Sequence, residues 1–256
     1  MKHLLSSSFA ARALLFTLLL VPSLQGCAAI ATQQSRRAPA ATPTPAATAT
    51  PQTAASPAVN EGIDRATSEP YDGDLSIFEG TEREQKLQIE RVMDVLGIRE
   101  GSGVADIGAG SGWFTVRAAR RAGGGGTVYA VEINREYLKH IEERAASEKL
   151  SNVRAVLGKE DDPLLPEKSV DAVLILKTYH EIAEPVRLLS RLRRSLRAGA
   201  RVGIIDRNGT GDDHGIARDV VIKEAERAGY TLAEEHDFVK GDGMDYFLVF
   251  RVRGDK

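Results

Sequence analysis

Apolar and polar positions follow two rhythms through the C-terminal two-thirds of the chain. In "TEREQKLQIERVMDVLG", Ile89, Val92, Met93 and Leu96 recur at helical spacing, Thr81 with Glu84 has the capping-box pattern, and Gly97 stops the run. This predicts one helix starting at Thr81. "GVADIG" reads as a short buried strand, followed by a glycine turn and a helix through "WFTVRAARRA" that ends in Gly123 to Gly126. "TVYAVEI" is a second strand. Asn134 then caps the helix "REYLKHIEERAASEK", with Tyr137, Leu138, Ile141 and Ala145 on one face. "NVRAVLG" is a third strand and "VDAVLILK" a fourth, apolar on both faces as central parallel strands are.

Glu184-Pro185 opens a further helix with proline in its first turn, and Gly199 lies past its end. "ARVGIID" is strand five, and "GIARDVVIKEAERAG" is a helix closed by Gly229. "TLAEEHDF" and "DYFLVFRV", joined by "VKGDG", form a terminal antiparallel hairpin. Strands alternating with helices at this rhythm predict an α/β fold, a doubly wound, Rossmann-like sheet of seven strands that ends in that hairpin.

The first quarter of the chain differs. Lys2, His3 and Arg12 precede "ALLFTLLLV", which is too short for the ~20 residues of a spanning helix. This is the pattern of a signal peptide over residues 1–26. "SLQGC" resembles a bacterial lipobox, with Leu24, Gly26 and then Cys27, the chain's one cysteine. Cys27 is therefore expected to be lipidated and to anchor an exported protein, with an ordinary secretory signal or a short signal-anchor as the alternatives. Ala28 follows it in place of an inner-membrane retention aspartate, so the expected location is the periplasmic side of the outer membrane. Residues 27–69 hold Pro39, Pro43, Pro45, Pro51 and Pro57 among Ala, Thr and Ser with no apolar periodicity, and read as a disordered linker. Residues 70–256 are then the folded domain.

Composition excludes some functions. A net charge of −2 and 5% aromatic residues supply neither the basic footprint nor the stacking surface of a nucleic-acid binder. One cysteine permits no intrachain disulfide and no cysteine-based metal cluster, and no metal is expected. The arginines 187, 191, 193, 194 and 197 read as a solvated helix face.

The chemistry is concentrated in "VADIGAGSGW". Glycines between a strand and a helix let backbone N–H groups approach a ligand, and the helix N-terminus favours negative charge. A dinucleotide fingerprint needs a glycine where Trp113 stands, and no Gly-Lys-Ser/Thr follows as in a phosphate loop. "ADIGAGSG" resembles motif I of class I S-adenosylmethionine-dependent methyltransferases, over about residues 78–252. "GKEDDPLLPEKSVDAVLILKTYHEI" and "YFLVF" resemble the bacterial group near the UbiE and type 11 methyltransferases.

The resemblance implies S-adenosylmethionine as cofactor. Gly108, Gly110 and Gly112 would pass under its methionine part, Asp106 would anchor the turn and meet its ammonium, and Glu132 would accept both ribose hydroxyls. Asp161, with Asp162 as the neighbouring alternative, would bond the adenine amino group. In "TYHEI", His180 would act as base, Tyr179 would orient the acceptor or line the donor pocket, and Glu181 would position His180 or cap the next turn. Asp206, at the tip of strand five, faces the same crevice. The family's tryptophan-containing run near the first helix is replaced by "REQKLQ", within which Arg83 is retained.

Two functions follow. One is an active methyltransferase on a small-molecule or lipid-like acceptor. The other is an exported lipoprotein that keeps the fold as a ligand-binding or scaffold module, because the charged donor is made in the cytosol.

Overall fold

The computed structural model of the protein describes residues 65–254. Cys27, the export pattern and most of the Ala/Thr/Pro segment lie outside the described residues. The elements are α1 (Arg83–Leu87), α2 (Ile89–Val95), β1 (Gly103–Ile107), α3 (Trp113–Ala122), β2 (Thr127–Glu132), α4 (Arg135–Ser147), β3 (Val153–Leu157), β4 (Val170–Leu176), α5 (Pro185–Leu192), β5 (Leu196–Asp206), α6 (Arg218–Arg227), β6 (Tyr230–His236) and β7 (Tyr246–Val252).

Seven strands form one sheet in the order β3-β2-β1-β4-β5-β7-β6. The first five are parallel, while β7 runs antiparallel between β5 and β6. The chain reverses direction across the sheet between β1 and β4, which in doubly wound sheets opens a crevice at the strands' carboxyl ends.

Period-2 alternation divides the core between the two faces. Val173 and Ile175 of β4 and Leu248 and Phe250 of β7 pack with Leu188, Leu189 and Leu192 of α5 and Val221 and Ala225 of α6. Ala172, Leu174, Phe247 and Val249 point the other way, onto Ile89, Val92 and Met93 of α2 and Trp113 and Phe114 of α3. Both faces of the central strands are covered, hence the apolar run of residues 172–176 in β4. Among the described residues, no helix is long and apolar enough to cross a membrane.

Three expectations are corrected. The single helix from Thr81 is two, because Gln88 adopts a left-handed conformation (φ 54°) between α1 and α2. The capping box does not form either: Glu82, not Thr81, is the cap, and it makes no side-chain capping bond. Arg83, the first residue of α1, contacts Asp242 (Nε–Oδ2 3.2 Å) across the molecule. At α5 the helix ends by Leu192 and passes through a 3-10 turn, Arg193–Ser195, into β5. Gly199 therefore lies past the helix, as expected, but inside β5 and not at the helix cap.

The linker composition ends later than the packing begins. Arg65 Nε donates to Glu224 Oε1 at 2.9 Å, and the Ser68 hydroxyl donates to the Gly211 carbonyl at 2.7 Å. The Ser68 N–H reaches the His180 carbonyl at 3.2 Å. Residues 65–79 thus form a strap across the carboxyl ends of the strands, and the partners of Arg65 and Ser68 named here are all more than 100 positions away in sequence.

Candidate active site

Parallel register brings the strand tips to one edge. Asp106 lies beside Ala130 and Leu174, and Ile107 beside Val131 and Ile175. Glu132 ends β2 and Asp206 ends β5. Above these tips is a cavity of about 500 Å³, bordered by Asp106, Gly108, Gly110, Glu132, Thr178 and Glu181, and roofed by strap residues that include Tyr71 and Phe78. That is within the usual size of a small-ligand site, roughly 300–1,000 Å³.

The turn can be built only with glycine at its first position. Gly108 has φ +72°, and a Cβ there would lie 2.3 Å from Thr178 Cγ2. Its N–H and that of Ala109 both donate to the Val131 carbonyl, at 2.9 and 3.1 Å, which pins the turn to β2. Gly112 (φ +72°) caps α3 and lets the helix settle onto Ile141. Gly112 is the one of the three glycines that does not border the cavity.

Glu132 is the junction of the site. Its Oε2 accepts from the Gly110 N–H at 3.0 Å, and its Oε1 accepts from the N–H groups of Ile133 (2.7 Å) and Asn134 (3.2 Å). A carboxylate has about four lone-pair sites, so capacity to accept from a ligand hydroxyl remains. Asp106 is buried beneath the turn and accepts from the Thr115 hydroxyl at 2.6 Å. Burial pushes its pKa up to about 7, with the Glu132 charge adding to the rise and the Thr115 bond and the Arg83 charge opposing it. Arg83 itself borders the cavity, with its guanidinium 4.7 Å from the centre of the Trp113 ring.

The segment "TYHEI" forms a 3-10 turn over Tyr179–Glu181. Only Glu181 of these three borders the cavity. Its carboxyl is pushed up to about 7, foremost by burial, against the lowering influence of His180. Tyr179 does not meet the expectation that it faces an acceptor or lines the donor pocket. It is fully buried and donates its hydroxyl to Glu224 Oε2 at 3.0 Å, in a network that Arg65 completes. His180 is also buried behind the cavity wall. Its Nδ1 lies 2.9 and 3.0 Å from the two Asp206 oxygens, and its backbone N–H donates to Asp206 Oδ2 at 3.2 Å.

Asp161 and Asp162 are turned away from the cavity. Asp161 pairs with Arg191 at 2.7 Å and with Arg187 at 3.6 Å. Asp162 holds Arg194 at 2.8 Å and accepts from the Leu164 N–H at 2.9 Å. The acid of this loop that borders the cavity is Glu160. The same pairs account for three of the arginines that read as a solvated face, and a fourth, Arg197, pairs with Asp171 at 2.7 Å. Thr115, Thr178 and the strap were not singled out in the sequence. Thr115 had a weak signal, as a hydroxyl in the first turn after the glycines.

A seven-stranded sheet of this order, with a glycine turn after β1 and an acid ending β2, is the class I methyltransferase fold. A family model described as a methyltransferase domain matches residues 104–199. Nocamycin O-methyltransferase of Saccharothrix syringae is 31% identical over 114 residues, 44% of this chain and 41% of its own. An uncharacterized methyltransferase of Mycobacterium bovis is 37% identical over 102 residues, 40% of this chain and 38% of its own. The chain thus spans about two-fifths of the length of these curated relatives. The crystal structure of a SAM-dependent methyltransferase from Aquifex aeolicus superposes with a TM-score of 0.63 at 24% identity, covering 71% of this chain and all of that one.

Proposed function

We propose that the domain binds S-adenosylmethionine and transfers its methyl group to a small-molecule acceptor that enters beside the strap. The observation that carries this reading is Glu132, whose carboxylate ties the bare glycine turn to the tip of β2 inside one cavity. The chain's residues fit the group. Positive φ at Gly108 and Gly110 calls for glycine and leaves the cradle bare, Glu132 has about one lone-pair site left for a ribose hydroxyl, and Asp106 offers a carboxylate to an ammonium. When bound, the donor supplies an electrophilic methyl: the acceptor's electron pair forms the new bond to carbon as the C–S bond breaks onto sulfur, and the acceptor's proton leaves to a base or to solvent. The protein's contribution is alignment at near-attack distance, which can supply about 7–11 kcal/mol. Glu181, not His180 or Tyr179, is the residue of the Tyr179–Glu181 turn that meets the acceptor side.

Calorimetry of the full chain with S-adenosylmethionine tests this reading. Micromolar binding, roughly −8 kcal/mol, is expected. Glu132→Ala weakens it by about 1.5–3 kcal/mol, the worth of hydrogen bonds to a charged group. No heat and no thermal shift with millimolar donor would refute donor binding.

Asp106 makes that binding pH-dependent. The carboxylate form recognises the ammonium, and with a pKa of about 7 that form is scarce in acid. Affinity should therefore rise about tenfold or more between pH 5.5 and pH 7. Stability moves the opposite way. The folded, unliganded domain holds this proton more tightly than the unfolded chain does, so Asp106's contribution falls as pH rises from about 4 through about 7. Asp106→Asn should lose the affinity trend while resisting denaturation better at pH 8. A flat affinity profile in the wild type would contradict the assignment.

A further inference from the structure

Where Glu181 forms part of the cavity wall, three ligand-bearing side chains converge: a ring nitrogen of His180, a carboxylate oxygen of Glu181 and a ring nitrogen of His214 all lie within 4.8 Å of one another. His180 Nε2 is 3.8 Å from Glu181 Oε1, too far for a hydrogen bond. Ligands about 2.1 Å from a shared ion lie about 3.0–4.2 Å apart, so a side-chain movement of about an ångström completes the set. His214 is the exposed member and the one with room to move.

The surroundings prepare these groups as ligands. Asp206 accepts from the backbone N–H groups of His180 and Arg207 and holds His180 Nδ1 at 2.9 Å, which fixes the orientation of the ring. With Nδ1 held by Asp206, Nε2 is the ring nitrogen on the Glu181 side, 3.8 Å from Oε1. A carboxylate behind a histidine, fixing its tautomer and raising its basicity, is the arrangement that supports metal-bound imidazoles. His214 comes from the loop after β5. Its N–H donates to the Ser68 hydroxyl at 3.1 Å, its carbonyl accepts from Arg207 Nε at 2.9 Å, and its ring stands edge-on to that of His180, 5.9 Å between centroids. The strap, the β4 turn and the β5 loop therefore meet at this cluster.

We propose that His180, Glu181 and His214 form a divalent-metal site of the two-histidine, one-carboxylate kind, taking a zinc-class first-row ion, with Glu181 as the ligand that also borders the cavity. An ion bound there would be a Lewis acid beside the acceptor, lowering the pKa of a coordinated hydroxyl or thiol whose proton passes to solvent before its electron pair attacks carbon. This catalytic role rests on the methyl-transfer reading, whereas ion binding does not.

Zinc titration of the full chain at neutral pH, against a chromophoric chelator, tests the site. One tight equivalent is expected in the wild type. His214→Ala, whose side chain is exposed and leaves the core untouched, should weaken it by about 10- to 100-fold or more, and Glu181→Gln should do the same. His236→Ala, on the distant strand β6, should change nothing. Absence of a zinc equivalent in the wild type, or undiminished affinity in His214→Ala, overturns the proposal. A parallel titration with S-adenosylmethionine separates the two readings. Donor binding without zinc binding fells this inference alone, and zinc binding without donor binding leaves the site standing while the methyl-transfer reading falls.

Discussion

Gly108→Ala is expected to lower the unfolding free energy by about 2–5 kcal/mol and to abolish measurable donor binding. Two costs combine. A side chain at φ +72° costs about 1–2 kcal/mol. A methyl group 2.3 Å from Thr178 Cγ2 must also push the β4 turn or the glycine turn aside, at about 1–3 kcal/mol. Gly97 provides the control, because it shares φ +72° but would have nothing within 4 Å of an added Cβ. Gly97→Ala should show the strain alone and leave donor affinity intact. Urea denaturation and calorimetry on the two variants isolate the contact with Thr178. Equal losses in both would mean that the close approach of the two turns is unimportant.

Glu224→Ala should destabilise the protein by about 3–5 kcal/mol, the usual result of removing one partner from a buried ion pair. Glu224 and Arg65 are nearly inaccessible, and Tyr179 is fully buried against them. Burial raises the Glu224 pKa, with the Arg65 charge opposing the rise, and burial holds the Tyr179 hydroxyl well above its ordinary range. Truncating Glu224 strands a guanidinium and a phenol together. Arg65 also donates to the Ile182 carbonyl at 3.0 Å, so the loss should loosen the strap from the β4 turn. Denaturant unfolding gives the magnitude, and limited proteolysis near residue 65 reports the strap. A change under about 1 kcal/mol with an unaltered cleavage pattern would show that the network neither stabilises the fold nor anchors the strap.

The sheet, the order of its elements, the glycine turn and Glu132 were legible in the sequence because each rests on a local signal. The continuous apolar runs of β4 and β7 report burial on both faces directly. The positive φ at Gly108 is a property of one residue, and Asn134 caps α4 by bonding N–H groups two and three residues on. Glu132 needed only its place at the end of a strand.

What "TYHEI" does was decided by the tertiary structure. In a 3-10 turn, with three residues per turn, successive side chains point about 120° apart. Tyr179 therefore goes into the core, His180 to Asp206 and Glu181 to the cavity, and no pattern in the sequence says which direction is which. The same holds for Glu160, Asp161 and Asp162, three acids in a row of which arginines on and just beyond α5 claim two. The strap lay further out of reach. Its polar residues have no periodicity, and Arg65 finds Glu224 159 positions away. Period, capping and turn chemistry fixed the scaffold, because they act over a few residues. The partners of buried charges were fixed by folding, because desolvation makes each charge take whichever counter-charge the packed sheet brings within reach, regardless of distance along the chain.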